Sequence, residues 1–65
     1  MTKKDVKEKI MLLEKMATEY KITKDKNLKQ NIEYLARELK DFMFNKGNYH
    51  IESGKVSDII LNLND

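Results

Sequence analysis

Apolar residues recur along the first third of the chain in alternating steps of four and three positions. This spacing brings them onto one stripe of a helix and leaves the charged residues on the other faces. The stripe consists of Val6, Ile10, Leu13, Ala17 and Tyr20. Thr2 is suited to cap the helix start, because its side-chain oxygen can accept a hydrogen bond from a free backbone N–H group. The pattern predicts a first helix over residues 3–20.

The same alternation returns after a short polar interval. The second stripe consists of Leu28, Ile32, Leu35, Leu39 and Phe42, and Ala36 and Met43 widen it. Asp25, or Thr23 if the helix begins earlier, is suited to cap its start, and Gly47 can take the left-handed conformation that ends a helix. The pattern predicts a second helix over residues 25–45. Because the connection is so short, we expect the two helices to form an antiparallel hairpin.

The pattern of the C-terminal segment, residues 46–65, does not select one type of secondary structure. Tyr49 and Ile51 alternate with polar neighbours, which favours a short extended stretch. Later apolar residues favour a third helix over about residues 55–63, with Ser53 or Ser57 as its cap. Residues 59–61, which follow Gly54, are rich enough in β-branched side chains to form a strand, so the pattern leaves both structures open. The apolar positions concerned are Val56, Ile59, Ile60 and Leu63. The predicted fold is therefore all-α: one small domain, a two-helix hairpin with a short third segment.

Several apolar side chains remain once the two stripes face each other. A third helix of two turns would be about 12 Å long, and it could not cover a hairpin of about 30 Å. We therefore expect a homodimer, built through the uncovered flank of helices one and two into a bundle. The leftover side chains, together with the single arginine, are the candidate partner-binding residues: Leu12, Met16, Arg37, Met43 and Phe44.

Composition limits the chemistry of the 65-residue chain. It has no cysteine, which excludes disulfides and thiolate zinc sites. Its one histidine, His50, could form a catalytic triad only with Ser53 or Ser57, and neither serine lies in a nucleophile-elbow motif. We predict no catalytic residue, no metal site and no cofactor. The longest apolar run, residues 10–13, is too short to cross a membrane, so we expect a cytoplasmic location without membrane association.

Charge is distributed unevenly, although the net charge is only +2. Four lysines surround the predicted hairpin turn against one aspartate, Asp25, and they form a candidate basic patch: Lys21, Lys24, Lys26 and Lys29. A basic patch can bind nucleic-acid phosphates, but proteins that read bases usually also carry several arginines. Nucleic acid is therefore a possible partner that the sequence does not favour. The abundance of lysine and asparagine is typical of AT-rich genomes and suggests a bacterial or phage origin.

Helix two also carries a family resemblance. Residues 35–43 resemble the core of the small sporulation aspartyl-phosphate phosphatases, whose second helix bears a Ser-Gln-Glu-Leu-Asp signature, and the likeness extends over residues 9–44. Glu38 and Leu39 match that signature, whereas Ala36 stands at its serine, Arg37 at its glutamine and Lys40 at its final aspartate. The resemblance implies a two-helix hairpin. Because Lys40 replaces the final aspartate of the signature, the resemblance implies binding to a response-regulator receiver domain rather than dephosphorylation of that domain.

The function that these observations favour is a small non-enzymatic helical regulator. It would bind a protein partner, such as a signalling or regulatory protein, through an amphipathic helix face and modulate it. The two alternatives are a phosphatase-like protein acting on response regulators and a small basic nucleic-acid-binding regulator.

Overall fold

The computed structural model describes residues 1–63, which fold into three α-helices. They are α1 (Lys3–Thr23), α2 (Lys26–Lys46) and α3 (His50–Leu63). The all-α fold class predicted from the sequence is confirmed. Residues 64–65 of the predicted C-terminal segment lie outside the described residues.

Helix α1 begins at a reciprocal pair of hydrogen bonds. The Asp5 backbone N–H donates to the Thr2 hydroxyl oxygen at 3.2 Å, and the Thr2 N–H donates to the Asp5 carboxylate at 3.0 Å. This capping box satisfies two backbone donors that the first helical turn leaves free. The helix ends where Lys24 adopts a left-handed conformation and donates its N–H to the Tyr20 carbonyl at 2.7 Å. Since this bond closes one more turn, α1 extends three residues beyond the predicted end at residue 20.

Helix α2 follows after a connection of only two residues, Lys24 and Asp25. The Asp25 carboxylate caps its start by accepting from the Asn27 N–H at 2.9 Å. At its end, Gly47 has a positive φ of 76° and donates its N–H to the Met43 carbonyl at 3.0 Å. The helix therefore occupies residues 26–46, one position later than the predicted range of 25–45.

The predicted burial of α2 needs a correction. Leu28, Leu35 and Phe42 are only partly buried, and the buried stripe consists of Ile32, Ala36, Leu39 and Met43. The stripe is rotated because α2 packs against both α1 and α3, so its most buried line faces the space between them. A hairpin without a third helix would have centred burial on the line that faces α1 alone.

Helix α3 differs most from the sequence-based prediction. It begins at His50 rather than near residue 55, and neither the extended stretch at 49–51 nor the strand at 59–61 is formed. Ser53 and Ser57 lie inside the helix rather than at its cap; the Ser53 N–H donates to the Tyr49 carbonyl at 2.8 Å. The Tyr49 ring packs on that of Phe42, with centroids 5.8 Å apart, and this contact ties the start of α3 to α2.

The three helices form a bundle in which each one packs against the other two. Short connections make α2 antiparallel to α1 and α3 antiparallel to α2. These two reversals make α3 parallel to α1, and Glu52 and Lys55 of α3 line a depression together with Lys7 and Ile10 of α1. With 14 residues, α3 is about 21 Å long and covers much more of the hairpin than two turns would. The predicted tail of only two turns, too short to cover the hairpin, is therefore wrong.

The core runs along the axis of the bundle, whose extents are 34 × 19 × 14 Å. Its buried side chains are Val6, Ile10, Leu13, Ala17, Ile32, Ala36, Leu39, Met43, Val56 and Leu63. Within residues 1–63 no polar or charged side chain is buried. None of the three helices combines the length and apolar character that a membrane span requires.

Candidate protein-binding surface

Exposed aromatic and charged side chains line up on the outer face of α2. Tyr34, Arg37, Asp41 and Phe44 follow one another in steps of three, four and three, which places them on one side of the helix. We call these four residues the α2 stripe. Phe44 is 88% exposed and Tyr34 is 79% exposed, although both have large apolar rings. Such rings are usually covered, so their exposure marks this face of the bundle.

Three shallow depressions meet on the α2 stripe. One of about 510 Å³ is lined by Tyr34, Arg37, Glu38 and Asp41. A second of about 310 Å³ includes Arg37, Asp41 and Ile60, where α2 meets α3. A third of about 420 Å³ lies between Phe44 and the start of α3. Because Asp41 lines all three depressions, they adjoin one another, and the α2 stripe forms one continuous grooved surface.

The charged members of the α2 stripe are available to a partner. In the part of the chain that the structure describes, the only ion pair joins Lys9 of α1 to Glu38 of α2 at 3.5 Å. Arg37 and Asp41 are both exposed and lie one helical turn apart. An arginine presents five N–H donors in a planar fork, and an aspartate presents two acceptor oxygens. The stripe therefore offers both kinds of polar contact between its two aromatic rings.

The predicted partner-binding residues do not all fall on one surface. Arg37 and Phe44 belong to the α2 stripe, whereas the half-exposed Leu12 and the partly buried Met16 lie on α1. Met43 is a correction: it is 3% exposed and belongs to the core, because α3 packs over its side of α2. Tyr34 was missed by the sequence reasoning, although its position three residues before Arg37 placed it on the same face.

The predicted basic patch lies around the connection between α1 and α2. Lys21, Lys24 and Lys26 are exposed, and Lys29 is partly buried. The ammonium group of Lys24 lies over the Tyr20 ring, 5.5 Å from its centroid, in a cation–π contact. The lysines thus occupy one end of the bundle.

Groups suited to catalysis are sparse on this surface. His50, Ser53 and Asp41 line the same 420 Å³ depression, but among residues 1–63 no hydrogen bond joins any of them to another. A nucleophilic serine needs a hydrogen-bonded base that is itself oriented by a third group. Across the described residues there is also no group of three His, Asp or Glu side chains placed to hold a metal ion.

The five positions that align with the phosphatase signature, of which only Glu38 and Leu39 match it, divide between the core and the surface. Ala36 and Leu39 are buried, whereas Arg37, Glu38 and Lys40 are exposed. The Glu38 carboxylate is the partner of Lys9 in the ion pair between α1 and α2. Comparison of the chain with protein-family models, with curated proteins and with solved structures finds no match in any of the three.

Proposed function

We propose that this chain is a non-enzymatic helical interaction protein that binds a protein partner through the α2 stripe and modulates it. The observation that carries the proposal is the exposure of Tyr34 and Phe44 on either side of Arg37 along one helix face. Tyrosine, phenylalanine and arginine are enriched at protein interfaces, and tyrosine and arginine are prominent among the residues that dominate binding free energy.

The α2 stripe suits this role because it lies on a rigid element. The helix carrying it is capped at both ends and is fixed to the core by four buried side chains. The backbone that carries its exposed residues is therefore ordered before binding, which lowers the backbone entropy lost on association. The partner surface that fits it is an apolar groove with a carboxylate near Arg37, which is a form of helix-in-groove recognition.

The test uses the tagged full chain to capture partners from the source cell, together with matched variants. Phe44→Ala and Arg37→Glu should each weaken binding of a stoichiometric partner by at least about tenfold, as expected for central interface residues. Ile51→Ala is the control, because it also removes an exposed apolar side chain but lies on α3. Binding that depends on Ile51 as much as on Phe44, or on neither, would contradict the assignment to the α2 stripe.

The family resemblance supplies a defined first partner for this test. A purified, phosphorylated receiver domain from the source cell can be titrated with the chain while its phosphate loss is followed. Binding without faster phosphate loss is the expected result. Accelerated loss would instead favour the phosphatase-like interpretation, and absence of binding would remove receiver domains from the partner class.

Nucleic-acid binding is a second candidate function, favoured by the exposure of three lysines at one end of the bundle. Contacts of this kind are made mainly to phosphates, so the affinity should fall steeply as salt rises. Fluorescence anisotropy with a labelled duplex should then show weaker binding for Lys21→Gln and Lys26→Gln than for the control Lys55→Gln on α3. An affinity that is independent of salt, or no binding at low salt, contradicts this function.

A further inference from the structure

A second surface of the bundle has a pattern that is complementary to itself. The solvent-facing side of α1, opposite its buried stripe, carries Lys4, Glu8, Met11, Leu12, Lys15 and Glu19, and all six are exposed. The spacing of these positions is symmetric about the midpoint between Met11 and Leu12. From Met11 toward the N-terminus and from Leu12 toward the C-terminus, the next two positions follow after three and then four residues. We call these six residues the α1 face. From its geometry we infer that it binds a second copy of the same chain, with the two α1 helices antiparallel.

The charges on the α1 face match in this arrangement. A twofold axis passes between positions 11 and 12. Each residue of one copy then lies opposite a residue of the other copy, and the two residue numbers add up to 23. Lys4 then faces Glu19 of the second copy, and Glu8 faces its Lys15. Each pair occurs twice, so four pairs of opposite charge surround the centre. A symmetric interface requires that one patch carry both members of each pair, and the α1 face meets this requirement.

Other alignments of two α1 helices lack this match. In a parallel pair with twofold symmetry every residue faces its own copy, which opposes lysine to lysine and glutamate to glutamate. If the antiparallel pair slides by seven positions, either Glu8 faces Glu8 or Lys15 faces Lys15. Like charges held opposite each other oppose association, so the pattern selects one direction and one register.

The centre of the α1 face is apolar and uncovered. Met11 is 66% exposed and Leu12 is 49% exposed, and in the pair each would lie against the other residue of the second copy. These two side chains and their neighbours line a depression of about 630 Å³ formed by α1 alone. Within residues 1–63 the one ion pair is Lys9–Glu38, so the charges of the α1 face are not engaged inside the chain.

One helix face offers a small contact, below the roughly 1,200 Å² that specific interfaces usually bury. The dimer is therefore weak, and its detection requires concentrations from about 10 µM to about 1 mM. The α1 face is separate from the α2 stripe, so the dimer goes beyond the proposed function and does not depend on it. Arg37→Glu on the α2 stripe should leave the dimerisation constant unchanged, which separates failure of one proposal from failure of the other.

Charge exchange tests the arrangement by sedimentation equilibrium. Glu8→Lys alone and Lys15→Glu alone should each raise the dimer dissociation constant by at least about tenfold, since each places like charges in opposition. The double variant Glu8→Lys/Lys15→Glu should restore dimerisation. An equimolar mixture of the two single variants should also restore it, because each chain then supplies the charges that the other lacks. Helicity measured by circular dichroism checks that every variant is folded.

Three outcomes would overturn the inference. The wild-type chain could remain a 7.7 kDa monomer up to about 1 mM, which would leave the α1 face to a foreign partner or to solvent. Dimerisation could persist in both single variants, which would place the interface on another face. Finally, the double variant and the mixture could both fail to restore the dimer, which would exclude the antiparallel pairing.

Discussion

At the residue scale, the two glycines of the chain have opposite structural roles. Gly47 ends α2 with a positive φ of 76°, a conformation that disfavours side chains with a Cβ atom. Gly54 lies inside α3, where a helix gains nothing from the freedom of glycine. A Cβ atom added at either position would meet no atom within 4 Å beyond its chain neighbours and, at Gly54, the backbone of its own helix. Backbone conformation alone therefore distinguishes the two sites.

Alanine at each glycine should consequently change stability in opposite directions. Gly47→Ala should lower the free energy of unfolding by about 1 kcal/mol, because alanine is strained in the left-handed region. Gly54→Ala should raise it by about 0.5–1 kcal/mol, because alanine loses less entropy in a helix. Urea unfolding followed by circular dichroism measures both, and changes of the same sign would contradict the assigned conformations.

The capping box of α1 makes stability depend on pH. Hydrogen bonds from the Thr2 backbone N–H and hydroxyl lower the pKa of the Asp5 carboxyl below its ordinary value. A carboxyl with a lowered pKa in the folded state stabilises the fold at neutral pH, and this contribution disappears as the pH falls through that pKa. The wild type should therefore be more stable than Asp5→Asn at pH 7, and the difference should be smaller at pH 3 than at pH 7.

Urea midpoints measured at both pH values test this dependence. In a Thr2→Ala background, Asp5→Asn should change the free energy of unfolding by less, because the hydrogen bond between the Thr2 hydroxyl and the Asp5 carboxylate is already absent. A gap that stays constant between pH 7 and pH 3 would mean that the capping box does not form.

At the element scale, the apolar periodicity of a helix predicts which side of it is buried, but not where its neighbours lie around it. The buried residues of α1, Val6, Ile10, Leu13 and Ala17, all belong to its predicted stripe. In α2 the burial is shifted toward the side that faces α3, and the periodicity of α2 carries no information about the position of that neighbour. The start of α3 was missed because its first turn is held by a tertiary contact between Phe42 and Tyr49. The alternation of apolar and polar residues at 49–51 favours an extended backbone only in the absence of that contact.

The shifted burial of α2 can be measured by mutation. Leu39 is fully buried, so Leu39→Ala should lower the free energy of unfolding by about 2–5 kcal/mol. Leu35 is only partly buried, so Leu35→Ala should cost clearly less. Equal effects in chemical unfolding would place both residues at the centre of burial, as a hairpin without α3 predicts.

At the scale of the whole molecule, the core requires all three helices. Val56 and Leu63 of α3 are buried in the same cluster as the central residues of α1 and α2. A chain this short has little apolar area to spare, and small domains are only marginally stable. The requirement for α3 also explains why the candidate surface was predictable only in part. Arg37 and Phe44 were identified from the sequence of α2 alone, whereas the burial of Met43 depends on α3.

Removal of α3 therefore tests the integrity of the bundle. A truncated chain of residues 1–48 should lose cooperative thermal unfolding, because the sides of α1 and α2 that pack against α3 become exposed to water. Full-length Ile51→Ala should retain the transition, since that side chain is exposed. If the truncated chain melts as sharply as the full chain, the hairpin is an independent unit and α3 an accessory.

The purely apolar core also affects how the protein can change over evolutionary time. Hydrogen bonds are directional and would fix the identity of the residues that make them, whereas the ten side chains buried within residues 1–63 interact through volume and shape. Aliphatic residues of similar size can replace one another in such cores at small cost. The interior can therefore drift in sequence while the bundle persists. Selection would then act most strongly on the exposed side chains that contact other molecules.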